Sequence, residues 1–171
     1  MSTNDDSLDF SALPPPLVGA LEASGWFWGR KVDVDEIVAE LVEQGYRSNP
    51  FAISFLEAFS GLLIAPLNIE GPNFANTESL IIDPGGVGRR HRSEAAEVES
   101  VVSEDVFPVA WWLSHSYVYV TASARMVAFS SGLIWLLGDT LEQGLDMAVR
   151  ASANLTCIGS RQGQRRWPAP K

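Results

Sequence analysis

Cysteine and histidine are nearly absent from this chain of 171 residues: Cys157, His91 and His115 are all there is. One cysteine closes no internal disulfide and no multi-cysteine zinc site, which fits a reducing cytoplasm. The two histidines share no ligand spacing, so neither metal nor other cofactor is expected. Equally missing are G-x-S-x-G, H-E-x-x-H and C-x-x-C, so no catalytic residue is assigned. Long apolar runs are missing too. The most apolar region, 106–138, is broken by His115 and Arg125, and its uninterrupted part is shorter than the roughly 20 residues of a membrane span. The start, MSTNDDSLDF, is acidic where a secretory signal is basic and then apolar. A soluble cytoplasmic protein without membrane contact is expected.

Positive charge is scarce. Twelve bases face 21 acids, for a net charge of −9, and lysine supplies only two of the bases. All the acids precede residue 160 and four bases follow it, so residues 1–160 carry −13. Such a body repels phosphate backbones, which argues against direct nucleic-acid binding and favours a basic protein partner. Acidity also serves plain solubility. Apolar residues make up 46% and charged residues 19%, a composition that folds, and this length forms one domain.

Organisation follows from periodicity and punctuation. Residues 1–13 read as a flexible arm, 14–151 as the single domain and 152–171 as a basic tail. Prolines 14–16 open a short helix that Gly25 ends, with Trp26 folding back onto it. Val34, Ile37, Val38, Leu41 and Val42 keep the spacing of one buried helical stripe over 34–44, with Asp33 as N-cap. Asn49-Pro50 starts the next helix, where Phe51, Phe55 and Phe59 stack at intervals of four beside Leu56. Strands are expected over 62–67 and 78–83, the latter closed by a type II turn at Asp83-Pro84-Gly85-Gly86. Residues 93–104 suit a helix. Segments 107–113, 117–121, 126–129 and 133–137 alternate with short polar turns, as in an antiparallel meander. Thr140 and Gln143 form a capping box for a last helix containing Gly144. Helices first and strands later predict an α+β domain: N-terminal helices on a mainly antiparallel twisted sheet, closed by a C-terminal helix.

Binding chemistry offers more than catalysis. Gly85-Gly86-Val87-Gly88 before Arg89 and Arg90 lacks the G-K-[ST] ending of a phosphate loop and reads as an exposed turn. Acids gather in two stretches: Glu94, Glu97, Glu104 and Asp105, and the ridge Glu36, Glu40 and Glu43. Such ridges are most often simply solvated. Trp111 and Trp112, adjacent in a strand, point to opposite faces. If helices cover one face only, one indole is exposed and suits an interface; if they cover both, neither is. The first acidic stretch with Trp111 and Trp112 is the leading candidate interface, and the ridge is the second.

Four ordered motifs resemble the SUKH superfamily, in particular its third subfamily of bacterial immunity proteins. They are Ser24-Gly25-Trp26-Phe27-Trp28-Gly29-Arg30, then Phe55-Leu56 with Phe59-Ser60-Gly61-Leu62, then Phe107-Pro108-Val109-Ala110, then Leu137-Gly138-Asp139-Thr140. Trp28 stands where the family usually has proline, and Ser60 and Ala110 where it has glycine. The resemblance, over roughly residues 17–150, implies a SUKH-like fold without catalysis that binds a cognate polymorphic toxin, often a nuclease or nucleic-acid deaminase, and blocks it. A regulatory interaction module of the wider superfamily is the alternative.

Overall fold

The computed structural model describes residues 8–169. Its elements are α1 (Pro15–Ala23), α2 (Asp35–Glu43), α3 (Pro50–Phe59), β1 (Leu63–Ile64), β2 (Leu80–Ile81), α4 (Pro84–Gly88), α5 (Arg92–Val102), β3 (Val106–Trp112), β4 (Ser116–Thr121), β5 (Met126–Ser130), β6 (Leu133–Gly138), α6 (Leu141–Arg150) and β7 (Thr156–Ser160). The strands form one antiparallel sheet in the order of the chain, β1 to β7. This is the expected α+β architecture. Strands adjacent in sequence pair most readily because short links close at small entropic cost.

Helices cover both faces of the sheet. The α6 helix packs on β5 and β6, with α1 against it, while α4 and α5 pack on β3 and α2 lies on α4. Trp111 and Trp112 divide between these layers. Trp112 is fully buried, its indole N–H donating to Ala148 O of α6 at 3.2 Å. Trp111 lies half-buried against α4 on the other side.

Local chemistry explains most element ends. Asn49 caps α3, accepting from the Ala52 N–H at 2.8 Å, with Pro50 in the first turn. Thr140 caps α6 by accepting from the Gln143 N–H at 3.3 Å, and the Gln143 side chain reaches back to the Asp139 N–H at 3.0 Å. The box thus closes one residue before the cap. After α1 the Trp26 N–H returns to Leu21 O at 3.0 Å.

Several expectations are corrected. The N-cap of α2 is Val34, not Asp33, whose carboxylate instead accepts from the Asp35 N–H. Of the stripe on α2, only Leu41 is fully buried, and Val42 is 43% exposed. The helix rests on the small α4, which cannot cover a full stripe. The two early strands shrink to pairs of residues, β1 and β2. Pairing continues only as far as Leu62 and Ile82, where the Ile82 N–H donates to Leu62 O and the Gly61 N–H to Ile82 O, both at 2.9 Å. The turn expected at 83–86 is the start of α4, with Pro84, Gly85, Val87 and Gly88 buried. Asp83 caps it, accepting from the Gly86 N–H at 2.9 Å, so proline at N1 outweighs the turn reading. The segment expected as a tail contains β7, which pairs with β6, so α6 does not close the fold. Of the arm, residues 8–13 lie among the described ones: Leu13 is buried and Phe10 packs edge-on against Trp26 and Phe59. Residues 1–7 lie outside the described chain.

Candidate functional site

The leading acidic stretch is largely occupied by arginines. Glu97 on α5 holds Arg161 with both carboxylate oxygens, one contact being 2.7 Å. Neighbouring Glu99 holds Arg92 at 2.8 Å. Glu104 accepts from the Ser123 hydroxyl at 2.7 Å and lies 3.8 Å from Arg125. Asp105 lies 3.5 Å from Arg47. Glu94 accepts from Ser93 and lines a shallow groove with His115, Tyr117, Phe129 and Arg161. Sequence places Arg47 and Arg161 far from these acids, and only folding makes the neutralisation visible. Trp112 is closed to any partner, whereas Trp111 keeps part of its ring at the surface beside Tyr117.

The ridge on α2 behaves differently. Glu40 is clamped by Arg89 with two hydrogen bonds, one of 2.7 Å, and this guanidinium lowers the Glu40 pKa. Glu36 and Glu43 are exposed and form no ion pair among the described residues. Arg89 projects from the C-cap of α4 into a groove that also contains Asp33, Glu36 and Ile37. A second groove, of about 330 Å³, shares Ile37 and Arg89 and continues over Ile81, Ile82, Asp83 and Gly61. The two adjoin at Ile37 and Arg89 and together form the depression between α2, α4 and the β1–β2 edge. Its acids outnumber its one arginine, whereas on the α5 side acids and arginines are nearly balanced.

Gly86 is essential to this corner. A Cβ there would collide with Asp83 Oδ2 and fall 2.8 Å from Trp111 Nε1. The missing side chain lets the Asp83 carboxylate and the Trp111 indole approach the same point of α4. The glycines read as an exposed turn are in fact the means by which α4 fits against β3.

Chemistry at the histidines is structural in form. His91 stacks on Tyr117, with 4.5 Å between ring centres. Its Nδ1 faces Val87 O at 2.9 Å, which requires an N–H there, and Nε2 lies 3.2 Å from the Tyr117 hydroxyl. Cys157 is buried. Among the described residues, no three His, Cys, Asp or Glu side chains converge on a metal position, and no helix is long and apolar enough to cross a membrane.

Sequence periodicity does not single out the exposed apolar side chains. Phe27 and Trp28 are 59% and 56% exposed, and Leu63 and Ile81 are 58% and 36% exposed. The one signal for the first pair is Trp28, standing where the resembled pattern has proline. Nothing in a two-residue strand announces the second pair.

A family model for the SUKH-3 immunity proteins matches residues 13–150. No curated protein and no solved structure matches the chain. The family match takes in every element from α1 to α6 and leaves β7 outside it. On that coverage the chain belongs to the SUKH-3 immunity protein family.

Proposed function

We propose that the chain neutralises a toxin that handles nucleic acid, a nuclease or a deaminase, by covering its active site in the cytoplasm. Toxin immunity in general comes with the family; the kind of toxin and the manner of inhibition are the proposal. One observation carries it: among the described residues, at the α2–α4 depression only Glu40 has an arginine ion pair, while on and just after α5 Glu97, Glu99, Glu104 and Asp105 each have one and only Glu94 does not. A toxin acting on nucleic acid needs a cationic cleft for phosphates. An acidic body carrying −9 overall complements that cleft and speeds encounter with it. The inhibitor acts as a stoichiometric binder, without catalysis.

Co-expression with the toxin domain encoded by a neighbouring gene tests this. Growth should be rescued, and nucleic acid should compete with the immunity protein for the purified toxin. A His91→Ala, His115→Ala, Cys157→Ser triple variant that folds should protect as well as the wild type. Loss of protection with folding and toxin binding intact would show that more than binding is needed. Failure of nucleic acid to compete would remove the occlusion.

A further inference from the structure

One face of the sheet carries an apolar row in continuous register. Leu63 pairs with Ile81, Ile81 with Trp111, Trp111 with Tyr117, and Tyr117 with Phe129. Directly opposed residues share a face, so the row crosses five strands as a single stripe. Its burial is graded. Phe129 is buried, Tyr117 and Trp111 are half-buried, and Ile81 and Leu63 are progressively more exposed. The helical cover provided by α5 and α4 thins toward β1. Where the stripe emerges, the depression between α2 and α4 begins, and its rim holds Asp33, Glu36 and Asp83. None of the three forms an ion pair among the described residues.

An apolar patch ringed by carboxylates, with Arg89 already committed to Glu40 and only near Asp83, suits a partner that brings cations around an apolar contact. A second copy of this chain suits it poorly. A two-fold contact would set these carboxylates against their own counterparts. We infer that the toxin docks at this edge: Leu63 and Ile81, with Trp111 behind them, form the apolar seat, and Asp33, Glu36 and Asp83 engage the cationic rim of the toxin's cleft. This inference rests on the proposed function and adds the surface through which it acts. Trp111 thereby keeps the anchoring role expected of it, with Leu63 and Ile81 in the place of Trp112. The acids that matter are those beside α2 and α4 rather than Glu94, Glu97, Glu104 and Asp105.

The test uses the toxin domain against which co-expression gives protection, in a catalytically inactive form, and measures binding kinetics with the full chain. The Leu63→Ala, Ile81→Ala pair should raise Kd at least ten-fold through faster dissociation, because short-range packing acts on the dissociation rate. The Asp33→Lys, Glu36→Lys pair alters exposed side chains outside the core, at the cost of the Asp33 contact to the Asp35 N–H, and a melt close to that of the wild type establishes its fold before kinetics are read. This pair should slow association at least ten-fold at low salt and flatten the salt dependence. An Asp105→Lys, Glu142→Lys control, on other elements, should leave both rates within two-fold. Wild-type kinetics in the Asp33/Glu36 variant, or an equal loss in the control, would overturn the docking site. So would a dimer of the free chain that the alanine pair dissociates, since the edge would then belong to a second copy. If the wild type neither binds nor protects, the proposed function fails instead, and the two failures are distinguishable.

Discussion

Individual side chains set the stability of the core. Phe55 and Phe59 are fully buried on α3, their rings 5.0 Å apart, and Phe59 also meets Phe10 and Trp26. Truncating either leaves a cavity that rigid neighbours cannot fill. Phe55→Ala or Phe59→Ala should destabilise by about 3–5 kcal/mol in denaturant melts, and a loss under about 1 kcal/mol would contradict this packing. The stripe was legible in sequence because an interval of four residues returns to one helical face. The fates of Trp111 and Trp112 were not. Alternation sends them to opposite faces, but only the positions of α4 and α6 determine that one indole is sealed and the other half-open. Gly144 shows the same division. It reads as a helix-weakening residue, yet a Cβ there would collide with Met126 Sδ, so its cost in propensity is offset by the close seat of α6 on β5.

Among elements, α4 is one that sequence misread. Five residues with three glycines carry no hydrophobic period, and local rules favour a turn there. The helix persists because tertiary partners hold it from both sides. Tyr46, just beyond α2, donates its hydroxyl to Gly88 O at 3.0 Å, under the Arg92 guanidinium. Burial pushes the Tyr46 pKa from the ordinary 10.0 up to about 12, and burial raises that of Tyr119 as well. The fold therefore holds these protons more tightly than the unfolded chain does. The Tyr46 contribution is complete below pH 10 and is lost as pH rises through about 12. Thermal melts should show Tm falling across that window. Tyr46→Phe should lower Tm at neutral pH by losing the hydrogen bond and make the alkaline fall shallower. An unchanged alkaline slope in this variant would detach Tyr46 from the effect.

At the scale of the molecule, the sheet depends on its last strand. The β7 strand pairs with β6 through Leu133–Ser160, Ile134–Gly159 and Trp135–Cys157, and α5 packs on it. Arg161, directly after it, clamps Glu97. A chain ending at residue 151 should lose cooperative melting or aggregate, because the edge of β6 and the buried Ile134 and Trp135 would be opened. A chain ending at residue 168 keeps β7 and the Trp135 indole bond to Trp167 O and should melt close to the full-length protein. Equal melting of both truncations would show that the seventh strand is dispensable. Basic residues beyond 160 and the lack of a long apolar period made this region read as a tail. A strand of only five residues leaves little periodic trace.

Sequence by itself determined the α+β class, the absence of known catalytic and metal motifs, the α3 stripe, the caps at Asn49 and Thr140, and the net acidity. Each rests on neighbours a few residues apart or on composition, which a linear reading sees in full. Tertiary structure alone decided which acids stay uncompensated, since Arg161 reaches Glu97 and Arg89 reaches Glu40 across 64 and 49 residues. It also decided where the apolar stripe comes to the surface. Charge pairing and burial are properties of contacts between distant segments, and these exist only once the meander and its two layers of helices have closed.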